Sequence, residues 1–361
     1  MHTITRRSFL RGVGATLGLP TALIACAEDS PERAGIAVVR TPHDGLVPSA
    51  QFDAEGALHV AFLQGQDVQY VVSRDGGTTF GAPLRVNDRP GYAAGGLFRG
   101  PEMAIGDDGS VHVIWYSRAW ELSSDRAEQG AMYTRLVPAA AFEPSRNVGR
   151  EPSDGLSVAV RAGQVAIAWH NGEILKVIRS DDGGRSFAMP LPFDALPCEC
   201  CGTSLRITPA GTTLIAYRDR KDDRRDEFIA TVDRGAARAR TLKLDKDSWI
   251  MKACPLSGTG TALVDDGAIV TWEHEGRIMM TRLGLTAWRR SDPVAIGEGK
   301  YPIVLANAAS LLVAWSAGKK LVWQTYDAAS LRLRMQGSVP RNSSHRAAGA
   351  LSTAGKFVLV V

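Results

Sequence analysis

Cysteine and histidine are scarce in this chain of 361 residues, with five and seven copies, and aromatic side chains make up only 7%. Long apolar runs are missing too: past the first 25 residues none approaches the roughly 18 needed to span a bilayer as a helix. That argues against a helical membrane protein. Helical periodicity is also lacking between the apolar segments, so helices are not expected to separate them. Charge of one sign is not in excess, since 42 Lys and Arg face 38 Asp and Glu for a formal +4. A nucleic-acid partner is therefore not implied. What cysteine there is falls unevenly, with three of the five in Pro197–Gly202, PCECCG.

The N-terminus, MHTITRRSFLRGVGATLGLPTALIAC, has a basic start, a weakly apolar Gly-rich stretch and then Cys26. Such a segment is a targeting signal and not a fold element. Thr5-Arg6-Arg7-Ser8-Phe9-Leu10-Arg11 resembles the twin-arginine export signal, and Leu23-Ile24-Ala25-Cys26 resembles the bacterial lipobox, whose cysteine is lipidated. These resemblances imply a signal over 1–25, an exported protein anchored through Cys26, and a short tether over 26–34. Loss of Arg6, Arg7 and Arg11 takes the formal charge from +4 to about +1. The expected location is the periplasm or cell surface, with a soluble mature domain over 35–361 held at most by lipid.

One pattern recurs along that domain: a turn with Gly, Asp or Ala, then a strand of alternating apolar residues that usually ends on an aromatic. The copies are GALHVAF (56–62), GSVHVIW (109–115), GQVAIAW (163–169), GTTLIAY (211–217), GAIVTW (267–272), ASLLVAW (309–315) and GKFVLVV (355–361). Period-2 alternation between turns marks antiparallel strands, and a repeat of this length with several strands per unit predicts an all-β fold, a β-propeller of four-stranded blades. Seven copies predict seven blades, with six plus an extra hairpin as the alternative. The last copy ends the chain, so Gly35–Val39 is expected to supply an outer strand and close a single ring, removing free sheet edges.

Two turns narrow the resemblance. Ser73, Asp75, Gly77, Thr79 and Phe80 in VSRDGGTTF, and Ser180, Asp182, Gly184, Ser186 and Phe187 in IRSDDGGRSF, resemble the Asp-box (BNR) repeat, with Phe in place of its Trp. The Asp carboxylate is expected to accept backbone N–H groups, the Gly to take positive φ, and the aromatic ring to seat the hairpin on its blade. The chain is thereby similar to the sialidase-like superfamily, in which such boxes are structural and lie away from the active site.

A sialidase, as that resemblance implies, needs arginines to grip the substrate carboxylate, a Tyr nucleophile with an acidic partner, and an acid/base carboxylate. The family's early F/Y-R-I-P motif is missing; Phe98-Arg99-Gly100-Pro101 comes nearest. Arg99, Arg118, Arg218 and Arg225 are the candidate cluster, Tyr116 or Tyr217 the nucleophile, and Glu102 or Glu273 the base, with Asp219 beside Arg218. Polar residues follow three of the aromatic strand ends, in Trp169-His170-Asn171, Tyr217-Arg218-Asp219 and Trp272-Glu273-His274-Glu275. Strand ends at the axis line the mouth of a propeller, so His170, Arg218, Asp219, Arg225, Glu273 and His274 are candidate ligand-binding residues.

With Cys26 set aside, Cys198, Cys200, Cys201 and Cys254 remain, an even number in an exported chain. Disulfides are one reading, with the pairing open. Copper or zinc held by the four thiolates, with His170 or His274 near, is another, and a redox-active thiol is a third. The chain is similar to exported Asp-box proteins with a C-x-C-C run, a Y-R-[DN] stretch and a later C-P segment, which implies a shared feature without naming its chemistry. Three functions are open: a monomeric binding module for a glycan or an envelope protein, a sialidase-like glycosidase, and a cysteine-centred metal protein.

Overall fold

The computed structural model describes residues 29–137, 141–341 and 344–361; the stretch expected to be an export signal, and Cys26, lie outside the described residues. Seven sheets follow one another around a ring. Their innermost strands are Leu46–Phe52, Glu102–Ile105, Asp154–Arg161, Ser204–Ile207, Gly260–Val264, Lys300–Ala306 and Ala348–Leu351, which define blades 1 to 7. Each neighbours the next, and together they wall an axial channel of about 420 Å³. The second strand of every blade is one of the seven sequence repeats, and the only α-helix among the described residues is Ala119–Leu122. The fold is therefore the expected all-β propeller, with seven blades and not six.

Blade 7 differs from the others in having three strands among the described residues. Its outermost is Ile36–Val39, paired in parallel with Phe357–Val360, so the two ends of the domain close the ring. The segment 29–34, expected as a tether, is not free. Asp29 N–H donates to Gln336 O on the outer strand of blade 6, and Ile36 N–H closes a turn onto Pro31 O. Backbone groups that reach a sheet edge find partners there.

The aromatic strand ends hold neighbouring blades together. Trp115, Trp169, Trp272 and Trp315 are all fully buried, each in a cluster shared with the preceding blade. Phe62 does the same between blades 7 and 1, and Tyr217 between blades 3 and 4. These rings are therefore wedges between sheets.

The two turn motifs share one hydrogen-bond pattern. In the first, Ser73 Oγ donates to Asp75 at 2.7 Å, and Thr79 donates to the same carboxylate from its N–H at 2.8 Å and its hydroxyl at 2.6 Å. Asp182 accepts equivalently from Ser180 and Ser186. Those donors hold both carboxyls well below the usual range. Gly184 has φ +77°, and a Cβ there would collide with the Tyr133 hydroxyl, so glycine is required.

Candidate functional site

All seven inner strands begin on one face of the ring, and the seven second strands end there. On that face the chain before blade 4 folds back on the end of its second strand: Cys198 N–H donates to Arg218 O at 2.8 Å and Arg220 N–H to Leu196 O at 3.0 Å. A further turn, Cys201 N–H to Cys198 O at 3.2 Å, bends the run and gathers its sulfurs. Cys198 Sγ lies 3.2 Å from Cys201 Sγ and 3.7 Å from Cys200 Sγ, and the three sulfurs fall within 4.8 Å of one another. Cys254, on the segment leading to blade 5, is bonded to Cys200 with Cα atoms 6.4 Å apart. Cys198 and Cys201 are free thiols. All three cysteines of the run are buried.

Arg218, whose carbonyl holds Cys198 N–H, is 2% exposed. Its Nη2 donates to Glu273 O at 2.6 Å and lies 3.3 Å from Glu227 Oε2, while Nε and Nη1 have no hydrogen-bond partner. Burial works against the guanidinium charge, and Glu227, Cys201, Asp245 and Cys198 outweigh it, so its pKa rises. Burial also pushes Glu227 up to about 8 against the pull of Arg218. The bond from Cys201 lowers the Cys198 thiol to about 7, with Arg218 helping, whereas burial pushes Cys201 far up.

In the lower wall of this site Asp245 and Trp249 escaped sequence reasoning, whereas His274 was among the candidate ligand-binding residues. Asp245 accepts from Trp272 Nε1 at 2.8 Å and from Glu227 N–H, and its Oδ1 lies 2.9 Å from His274 Nδ1. Trp249 stacks at a tilt on His274, 5.9 Å between ring centroids, and carries Arg218 over its face at 5.1 Å. The signal was present: a buried indole N–H needs an acceptor, and an acid ahead of the repeat serves twice. Glu151 accepts from Trp169 at 2.9 Å as Asp245 does from Trp272.

The candidate residues separate into groups. His170, Arg218 and Glu273 meet around the run, His170 Nε2 lying 3.4 Å from Cys201 O. Burial lowers the His170 pKa. The Glu273 carboxylate faces blade 6, with Lys300 Nζ at 3.8 Å, and burial raises its pKa. Tyr217 points to the opposite side of its strand from Arg218 and donates to Asp194, so it stays in the packing between blades and away from the mouth. Asp219 bridges Pro197 through its backbone, and burial pushes its carboxyl up to about 6. Arg225 donates to the carbonyls of Asp222 and Arg224. Glu102 lines the axial channel in an ion pair with Arg346 at 2.5 Å.

A second cavity of about 420 Å³ opens on the same face between blades 2 and 3. Arg99 spans its floor, donating from Nε to both oxygens of Asp154 at 2.9 and 2.8 Å and from Nη2 to one of them. Tyr116, Trp120, Asn171 and Glu199 complete the lining that matters here. Glu199 belongs to the cysteine run, and His170 lines the cavity as well as touching Cys201 O, so the two features share a wall.

No family model matches the chain, and no curated protein matches it in sequence. Solved structures do match its fold. Hydrazine synthase from Kuenenia stuttgartiensis aligns at TM-score 0.58 and 13% identity over 88% of this chain and 92% of its own. A leech intramolecular trans-sialidase aligns at 0.50 and 10% over 82% and 67%. The GH93 α-L-arabinofuranosidase of Fusarium graminearum aligns at 0.50 and 12% over 84% and 96%. At such identities the likeness establishes the fold alone, a β-propeller.

Proposed function

We propose that this protein is an exported, lipid-anchored propeller that binds a neutral glycan in the cavity between blades 2 and 3. The observation that carries the reading is the composition of that cavity: the Trp120 ring is 62% exposed at its rim, over a floor whose only arginine is already held by Asp154. An exposed aromatic face stacks on the C–H face of a sugar, and planar amide and carboxylate groups such as Asn171 and Glu199 bond its hydroxyls. The propeller architecture, shared with the leech trans-sialidase and the Fusarium arabinofuranosidase, is compatible with such a ligand.

An acidic sugar fits less well. The arginines that a sialidase would converge on one carboxylate are occupied separately: Arg99 by Asp154, Arg118 by Glu121 and Gln66, Arg225 by backbone carbonyls, while Arg218 is buried under the cysteines. Binding without sialoside cleavage is therefore the favoured activity. Titration of the folded chain with neutral and sialylated oligosaccharides, followed by tryptophan fluorescence and by product analysis, tests it. Saturable binding of a neutral glycan without turnover is expected; no binding across the panel, or release of sialic acid, would overturn the reading.

A further inference from the structure

We infer that Cys198, Cys200, Cys201 and Cys254 form, when all four are reduced, a tetrathiolate site between blades 4 and 5 for a thiophilic d¹⁰ cation, zinc or copper(I), charge-compensated by Arg218. Three features carry it. The first is spacing. Thiolates about 2.3 Å from one ion at tetrahedral corners stand roughly 3.8 Å apart, and the Cys198–Cys200 and Cys198–Cys201 distances are 3.7 and 3.2 Å. Cys254 comes from a different blade to meet Cys200, and once that bond is reduced it is the thiol placed to supply the fourth corner.

The second is the buried guanidinium. Four thiolates in a dry site require positive charge beyond that of the ion, and a buried arginine with unpaired N–H groups requires an acceptor. Arg218 Nε and Nη1 are the groups without partners, and Arg218 O accepts from Cys198 N–H at 2.8 Å, so the residue lies on the strand against which the run folds back. The third is the frame. Leu196 and Leu256, two residues from Cys198 and Cys254, hold left-handed backbone at φ 59° and 57°. Leu196 is held there by its N–H bond to Glu173 O and by Arg220 N–H on its own carbonyl, so the loop of the cysteine run is braced by backbone bonds that need no ion.

Disulfide bonding is the competing use of the same cage, and the fully reduced chain separates the two. The mature chain is purified anaerobically with a phosphine reductant, its four thiols are counted, and cobalt(II) is titrated in. One cobalt per chain is expected, with sulfur-to-cobalt charge transfer in the near ultraviolet and full displacement by zinc. A parallel titration with copper(I) against a chromophoric chelator decides which ion is preferred. Cys198→Ser and Cys201→Ser should each weaken binding more than ten-fold with an unchanged circular dichroism spectrum. Should the reduced wild type lose its strand signal and regain it with one equivalent of ion, that also supports the site. Failure of the reduced wild type to bind any of the three ions stoichiometrically, absence of rescue by an ion if it unfolds, or unchanged binding in both serine variants would overturn it.

Discussion

Ile36 lies beside Phe357 in a parallel ladder, and through that pair the first strand of the domain becomes the outer edge of the blade formed by its last residues. Ile36 is buried against Leu312, Trp323 and Leu359, so it ties blade 7 to blade 6 as well. Ile36→Ala should cost about 2–5 kcal/mol by loss of burial and cavity formation, read as a lower urea midpoint. Deleting residues 29–40 should leave the Phe357–Val360 edge open, and self-association that rises with concentration in analytical ultracentrifugation is the expected outcome. A monomeric deletion variant of unchanged stability would show that the strand is dispensable.

Trp272 joins the blade 4–5 packing to the polar floor of the cysteine site. Trp272→Ala should destabilise by about 3–5 kcal/mol. Trp272→Phe keeps most of the burial but strips a donor from the buried Asp245 carboxylate, for a cost of about 1–3 kcal/mol. Denaturant curves for both variants check the order; a Trp272→Phe variant as stable as the wild type would mean that the bond to Asp245 contributes nothing.

Acid should weaken the fold through blade 2. His112 bonds Ser110 Oγ at 2.9 Å and the Tyr133 hydroxyl at 2.7 Å, with Asp108, Arg135 and Glu143 around it. Burial lowers its pKa from 6.5 to about 4, Arg135 assisting against Asp108 and Glu143. Above 6.5 neither state binds the proton; between 6.5 and about 4 only the unfolded chain does, so stability falls as pH falls and levels off below. From pH 7 to pH 5 the loss from this residue should be about 2 kcal/mol. His170, also lowered by burial, acts in the same direction. His112→Gln should flatten the dependence of the urea midpoint on pH, and an unaltered slope would remove His112 as its source.

Trp120 should matter to ligand and not to fold. Because it is largely exposed, Trp120→Ala should change stability by no more than about 0.5 kcal/mol. Affinity for the neutral glycan should drop at least about ten-fold if the ring is the stacking platform. A variant that binds as tightly as the wild type would place the ligand elsewhere on the mouth.

The alternating repeats from Gly56 to Val361 determined the fold by themselves, because burying one face of every strand leaves a chain of such hairpins little choice but to stack its sheets in a ring. They also indicated the blade count and the closing strand Ile36–Val39, since each follows from local pattern. The candidate site was legible only in part. His170, Arg218 and Glu273 were marked by their common place after a strand end, yet alternation along a strand sends neighbours to opposite sides. Tyr217 therefore went to the blade interface while Arg218 went to the sulfurs. Glu227 and Trp249 carry no local signal, and with Asp245 they matter because the radial stacking of blades 4 and 5 brings them to one buried guanidinium. The meeting of Cys254 with a run more than fifty residues earlier, and the pairing of Arg99 with Asp154 across two blades, are likewise products of ring geometry. Local alternation sets which face of a strand is buried, but only the closed ring decides which buried charges and sulfurs share a site.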